Sequence, residues 1–311
     1  MSATVLVLVE TIHDYLPILK GQGFKLILAT TPAARAEAIK THAEHIDAVL
    51  TRGPLGLRAD EMAALPQLKI ICVIGAGYEN VDLVAAKAQG LTVTNGAGVN
   101  ASTVADHSMA LLLALVRDIP RGDASVRRSE WVKTMRPSLA GKRLGILGLG
   151  AVGMAIAKRA QGFDMSISYH NRNPRTDVAH TYCATPLELA AHSDYLAVAT
   201  PGGAQTQGMV DHKVIAALGA EGFLINIARA SVVVTADLLK ALQNDEIAGA
   251  ALDVFDDEPN VPDAFKSLGN VVLTAHVGGL SPEAMEGTVQ MVGKNLVAFF
   301  SGQPVLTPVA L

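Results

Sequence analysis

Three segments late in the chain each close an apolar run on side chains that can handle charge or protons. They are Asn226-Ile227-Ala228-Arg229, Leu252-Asp253-Val254-Phe255-Asp256-Asp257-Glu258-Pro259 and Leu273-Thr274-Ala275-His276-Val277-Gly278-Gly279. Reduction of a ketone by hydride needs a proton donor that works near neutral pH, which is histidine's range. A carboxylate beside that histidine favours its charged form and fixes its ring. His276 with Glu258 supplies such a pair. Arg229 supplies a fixed cation, able to hold a carboxylate and to polarise a carbonyl as negative charge develops on its oxygen. Singly, each has a plainer reading: Arg229 as a surface cation, Glu258 as a helix-start carboxylate, His276 as a satisfied strand-end histidine. What joins them is position, because in an open parallel α/β sheet the carboxyl ends of the strands line the ligand crevice.

Upstream, the apolar run 144–147 leads into Gly148-Leu149-Gly150-Ala151-Val152-Gly153 and then a helical pattern over 154–161. A GxGxxG motif alone is weak, but strand before and helix after are the context a dinucleotide fingerprint requires. Gly148 serves the tight turn, Gly150 the approach of backbone to a pyrophosphate, and Gly153 the close packing of helix on strand, with the phosphates at the helix N-terminus. The next run, 165–169, ends in His170-Asn171-Arg172-Asn173-Pro174-Arg175, where an Asp or Glu normally receives the ribose 2′-hydroxyl of NAD. No acid stands there. Arg172 and Arg175 can neutralise a 2′-phosphate, so the residues favour NADP(H), with NAD(H) as the second choice; the plainer reading makes both arginines solvated loop charges.

These groups need rigid elements to place them. The chain has 311 residues, half of them apolar and 17% charged, enough for a sizeable core and two domains. Short, near-continuous apolar runs at 4–9, 25–30, 48–51, 69–74 and 91–94 alternate with Ala-rich amphipathic stretches, as parallel strands covered on both faces by helices do. A helix over 101–116 follows, with Ser102 or Thr103 to cap it, and then six more strands at 144–147, 165–169, 195–200, 223–227, 249–254 and 270–274. A final helix spans 281–300, weakened at Gly287 and Gly293, before a tail containing Pro304 and Pro308.

Several classes are excluded. Twenty-five basic against 29 acidic residues leave a net charge of −4, no field to gather nucleic acid. The apolar run 1–9 has no basic leader and stops at Glu10, and the one over 109–116 stops at Arg117, so neither is a secretion signal nor crosses a membrane. Cys72 and Cys183 have no CxxC spacing, which suits a reducing cytoplasm and suggests neither a disulfide scaffold nor a thiolate metal site. His107 lies inside the helix over 101–116, while His13, His42, His45, His180, His192 and His212 sit in polar contexts; none has a metal-ligand spacing, and all are read as non-functional.

Taken together the motifs resemble the D-isomer-specific 2-hydroxyacid dehydrogenase family over nearly the whole chain. The likeness rests on Gly75-Ala76-Gly77-Tyr78-Glu79-Asn80-Val81-Asp82, Val104-Ala105-Asp106-His107, the glycine fingerprint and the three segments above, in the family's order. It implies two doubly wound α/β parallel-sheet domains: a flavodoxin-like substrate domain from residues 1–98 plus 285–311, and a Rossmann cofactor domain from 99–284 inserted in it. The catalytic roles fall on Arg229, Glu258 and His276, and the substrate carboxylate on Arg229 and the backbone N–H groups of Ala76 and Gly77, a small anion nest. Cofactor contacts are expected from Thr103, Gly148, Gly150, Ala151, Val152, Gly153, Asn171, Arg172, Arg175, Thr200, Pro201, Ile227, Asp253, His276 and Gly278. The implied activity is reduction of small 2-keto acids, glyoxylate or hydroxypyruvate, by NADPH in a cytoplasmic homodimer, with the helix over 101–117 and Trp131 at the subunit interface. Alternatives are a reductase of bulkier acids, such as 2-ketogluconate or an aryl pyruvate, and a non-catalytic nucleotide-sensing scaffold. The chain departs from the family pattern at Ala230, where glycine is usual and whose bulk would shift the Arg229 loop, at Glu79 for Asp and Asp106 for Glu, and after Ser281, where a threonine is missing.

Overall fold

The computed structural model describes residues 3–311, so the first two residues of the apolar run 1–9 lie outside the described residues. The chain divides into two compact units, one formed by residues up to Asn100 with Leu280–Leu311, the other by Ala101–Gly279.

In the first unit β1 (Thr4–Val7), β2 (Lys25–Leu28), β3 (Ala48–Arg52), β4 (Ile70–Ile74) and β5 (Thr92–Asn95) form a parallel sheet in the order β2-β1-β3-β4-β5. This is the flavodoxin-like doubly wound order. Side chains alternate between two cores along each strand. Val5, Val7, Leu50 and Cys72 pack with Val289, Val292 and Leu296 of the helix Pro282–Phe300, while Leu6, Val49, Ile71, Val73 and Val93 face the other side. Ser281 caps that helix, its hydroxyl accepting from the Ala284 N–H at 3.1 Å, and the helix runs unbroken through Gly287 and Gly293. The tail then returns antiparallel along β5, with Asn95 donating to the Thr307 carbonyl and Val309 to that of Val93.

The second unit holds β6 (Arg143–Leu147), β7 (Ser166–His170), β8 (Thr181–Tyr182), β9 (Tyr195–Val198), β10 (Phe223–Asn226), β11 (Gly249–Leu252) and β12 (Val271–Leu273), all parallel, in the order β12-β11-β10-β9-β6-β7-β8. Counted from β6, this is the dinucleotide-binding order with one further strand at an edge. Seven strands stand where six were expected, because β8 is two residues long and carries no apolar run. Other strands are shorter than their runs: those at 4–9, 195–200 and 249–254 end at Val7, Val198 and Leu252. Beyond them Leu8, whose N–H still donates to the Leu50 carbonyl at 2.9 Å, Val9 and Val254 are apolar because the segments they sit in are buried.

The helix Ala101–Val116 buries Ala101, Val104, Ala105, Ser108, Leu111, Leu112 and Leu115, a stripe at helical spacing packed against Ile156, Ala157 and Ala160 of the helix Ala151–Gln161. Ser102 and Thr103 lie within its first turn rather than capping it, a correction to the sequence reading. Ser102 instead accepts from Arg159, which also pairs with Asp106 at 2.6 Å and holds that carboxyl below the usual carboxylate range. Both cysteines are buried and free, and burial pushes the Cys72 thiol up to about 12. Among the described residues no helix is long and apolar enough to cross a membrane.

Candidate active site

Register builds the site. In the second unit Leu147 pairs with His170 and Val198, Val198 with Asn226, Asn226 with Leu252, and Leu252 with Leu273. The chain therefore leaves six neighbouring strands at one level on one edge of the sheet. Just past that row stand Gly148, Gly150, Ala151, Val152 and Gly153 after β6, Asn171, Arg172 and Arg175 after β7, Thr200 and Pro201 after β9, Ile227 and Arg229 after β10, Asp253 and Glu258 after β11, and His276 and Gly278 after β12. Thr103 lies in the first turn of helix Ala101–Val116. Ala76 and Gly77 belong to the first unit, in the turn after β4, where Gly75 has φ +76° and the Asn95 amide donates to the Ala76 carbonyl at 2.9 Å.

The glycine loop is shaped for close backbone approach. Gly148 has φ +102°, and a Cβ there would stand 2.7 Å from the Thr200 nitrogen. A Cβ on Gly153 would stand 2.2 Å from the Gly148 carbonyl oxygen, whereas one on Gly150 would meet open space. The helix begins at Ala151, three residues before the expected pattern, so its first free N–H groups belong to the fingerprint itself. This cradle fits the pyrophosphate of a dinucleotide. Gly153→Ala is expected to destabilise the protein by about 1–3 kcal/mol and to weaken cofactor binding, checked by urea denaturation and fluorescence titration; native values for both would exclude a tight helix–strand contact there.

Two fingerprint neighbours brace the loop from β7. The Leu149 N–H donates to Asn171 Oδ1 at 2.6 Å, and Arg175 Nη1 donates to the Leu149 carbonyl at 2.9 Å. Arg175 also makes a two-pronged pair with Asp177, so it is engaged within the protein. Arg172 is exposed and makes no hydrogen bond or ion pair among the described residues.

His276 Nδ1 lies 2.8 Å from Glu258 Oε2, and Glu258 Oε1 accepts from the Phe255 N–H at 3.0 Å. Both side chains are about one-third exposed, so the pair is open to a substrate yet held. With Nδ1 turned to the carboxylate, Nε2 is the nitrogen left to serve as proton donor. His276 has φ +52°, a left-handed backbone costly to a non-glycine residue. Its N–H donates to the Asp253 carbonyl at 2.8 Å, and the Asp253 carboxylate receives the Val277 and Gly278 N–H groups at 3.0 and 2.9 Å. Arg229 is set by Asn226, which is 1% exposed: the Asn226 amide donates to the Arg229 carbonyl at 3.0 Å and accepts from the Ala228 N–H at 3.1 Å. Ala230 opens the 3-10 turn Ala230–Val232 without a left-handed backbone, so this position places no demand for glycine and the loop shift expected of alanine has no backbone cause.

Two polar residues escaped the sequence reading. His107, set aside as a helix-face histidine, lies with Nε2 3.0 Å from Thr274 Oγ1 and 3.3 Å from Asp253 Oδ1, and Thr274 donates to Asp253 at 2.6 Å. Nothing local in 101–116 signals this; only the register of β11 and β12 brings those residues to it. Trp131 is 81% exposed in an extended segment with Val132 and Met135. Among the described residues no three His, Cys, Asp or Glu side chains are grouped as metal ligands.

A sheet of dinucleotide-binding order with a histidine–carboxylate pair and an arginine past its carboxyl edge defines a class of nicotinamide-dependent oxidoreductases. The family model described as D-isomer specific 2-hydroxyacid dehydrogenase, NAD binding domain, matches residues 109–278, and the chain belongs to that family. It is 40% identical to a glyoxylate/hydroxypyruvate reductase A of Arabidopsis thaliana over 289 residues, 92% of each chain. It is 38% identical to a hydroxyphenylpyruvate reductase of Plectranthus scutellarioides, covering 99% of this chain and 100% of that one. Among solved structures, an NADPH-dependent glyoxylate/hydroxypyruvate reductase from Sinorhizobium meliloti in complex with NADP and malonate superposes with a TM-score of 0.90 at 37% identity, covering 100% of this chain and 97% of the other.

Proposed function

We propose that the protein reduces small 2-keto acids, glyoxylate and hydroxypyruvate first among them, to 2-hydroxy acids with NADPH. The observation that carries this reading is the 2.8 Å His276–Glu258 pair at the same sheet edge as Arg229 and the glycine cradle. Bound nicotinamide supplies the hydride. Arg229 holds the substrate carboxylate and polarises the keto oxygen, while the backbone N–H groups of Ala76 and Gly77 in the first unit keep their assignment as carboxylate donors. As negative charge develops on that oxygen, His276 delivers the proton from Nε2, and Glu258 stabilises the charged ring and fixes its orientation. The remaining cofactor contacts are assigned to Thr103, Asn171, Thr200, Pro201, Ile227, Asp253 and Gly278.

NADPH over NADH is supported by the basic, acid-free segment His170-Asn171-Arg172 and by Arg172, which is exposed and without a protein partner among the described residues. Arg175 stands beside it but is shared with Asp177 and Leu149, so Arg172 carries most of the discrimination. Arg172→Asp is expected to raise KM for NADPH by about tenfold or more while leaving NADH nearly unchanged; equal effects on both would sink the assignment. A homodimer that includes Trp131 and a reducing cytoplasmic setting complete the proposal, the latter supported by two buried free cysteines.

The deciding experiment follows loss of reduced-nicotinamide absorbance with NADPH or NADH and a panel of glyoxylate, hydroxypyruvate, pyruvate, phenylpyruvate and 2-ketogluconate. Fast turnover of the first two with NADPH is the expected result. Preference for phenylpyruvate would replace the substrate and keep the mechanism, a second reading favoured by the likeness to a hydroxyphenylpyruvate reductase along 99% of the chain.

A further inference from the structure

The buried Asp253 carboxylate joins the loop of the left-handed His276 to a histidine from a distant helix. Asp253 is 1% exposed, and a buried carboxylate is tolerated only when its oxygens are met by donors. Three donors meet it, the Val277 and Gly278 N–H groups and the Thr274 hydroxyl, with His107 Nε2 close by at 3.3 Å from Oδ1. Because Thr274 spends its one proton on Asp253, its oxygen is the acceptor toward His107 at 3.0 Å, and Nε2 of His107 carries the hydrogen. The ring also seats the loop directly, since a Cβ on Gly278 would stand 2.9 Å from Asp253 Oδ2 and 3.2 Å from His107 Cδ2. A left-handed residue such as His276 keeps its conformation only where the surroundings over-determine it.

We propose that His107 is a positioning residue for the reaction: its ring N–H fixes the Thr274 hydroxyl in the donor cage of Asp253, and Asp253 holds the loop that presents His276. The proposal rests on His276 being the proton donor. His107 touches no reacting atom in this scheme. Its effect passes through Asp253 to the backbone at 276–278, and so to the angle at which His276 meets Glu258. Asp106, the neighbouring charge on the same helix, is turned to Arg159 and takes no part.

The test compares His107→Phe, which keeps a ring and removes the donor, with His107→Gln, which keeps a donor. Steady-state kinetics with glyoxylate and NADPH are read beside melting temperature and amide hydrogen exchange over 274–279. For His107→Phe, kcat is expected to fall about tenfold with KM for glyoxylate within about twofold of native, and exchange over 276–278 to quicken about tenfold. His107→Gln is expected to recover kcat to within about threefold of native. Thr274→Val, with Thr274→Ser as its rescue, repeats the comparison should His107→Phe fail to fold. Native kcat and native loop exchange in His107→Phe overturn the proposal, and so do equal losses in the Phe and Gln variants, which would make His107 a packing group. A native protein that turns over no 2-keto acid would overturn the reductase reading instead, while loop exchange would still decide whether His107 holds the loop.

Discussion

His276→Ala is expected to lower turnover of every 2-keto acid by about 10²–10⁴-fold, the usual worth of a placed general acid, while binding of NADPH stays within about twofold of native. The asymmetry follows from what each group touches. The glycine cradle and the arginine loop after β7 do not use the His276 side chain, and the backbone bond from His276 to the Asp253 carbonyl survives truncation to alanine. What disappears is the imidazole paired with Glu258, a carboxylate about one-third exposed that water can then solvate. Folding should therefore change little, and the loss should fall on kcat rather than on the melting temperature. Single-turnover measurements with NADPH and glyoxylate make the comparison directly. Turnover above about a tenth of native would remove His276 from proton transfer.

Arg229→Gln is the second large effect. It is expected to cost about 10³-fold in kcat/KM, since in the proposed reaction the position serves both the substrate carboxylate and the charge that develops on the keto oxygen. Arg229→Lys is expected to recover only part, because an ammonium keeps the charge but not the planar fork that meets a carboxylate with two hydrogen bonds. The side chain is held against Gly202, where a Cβ would stand 2.8 Å from Arg229 Cγ, and its carbonyl is pinned by Asn226. A shorter or floppier cation at this place should raise KM for the keto acid and lower kcat together. A lysine variant equal to native in kcat/KM would show that charge alone is required.

Arg229, Glu258 and His276 were legible in the sequence for one physical reason: each follows an apolar run long enough to be a buried parallel strand, and a strand's end is where a parallel sheet exposes polar groups. The register row from His170 to Leu273 explains why reading the runs one at a time was enough to place them past one edge of the same sheet. His107 was illegible because its meaning is non-local. On its own helix it is one polar residue at the margin of an apolar stripe, and Thr274, which gives it a role, lies 167 residues further on. β8 escaped because two paired residues leave no periodicity. The engagement of Arg175 by Asp177 escaped because two charges two residues apart, in a loop without regular structure, have no preferred direction until the loop is built.

The packing of helix Pro282–Phe300 on the first sheet also bears on the order in which the protein can be made. Val5, Val7, Leu50 and Cys72 emerge from the ribosome early, but Val289, Val292 and Leu296, which cover them, come only after all of Ala101–Gly279 has been synthesised. At roughly 5–20 residues per second that leaves one apolar face of the nascent sheet covered only by Ile12, Leu16 and Leu19 for on the order of ten seconds or more. The later-encoded cofactor unit has all of its strands in hand during that wait and can be the first to finish folding. In the cell, that half-covered face of the five-strand sheet is then a surface a chaperone can shield until the last helix arrives.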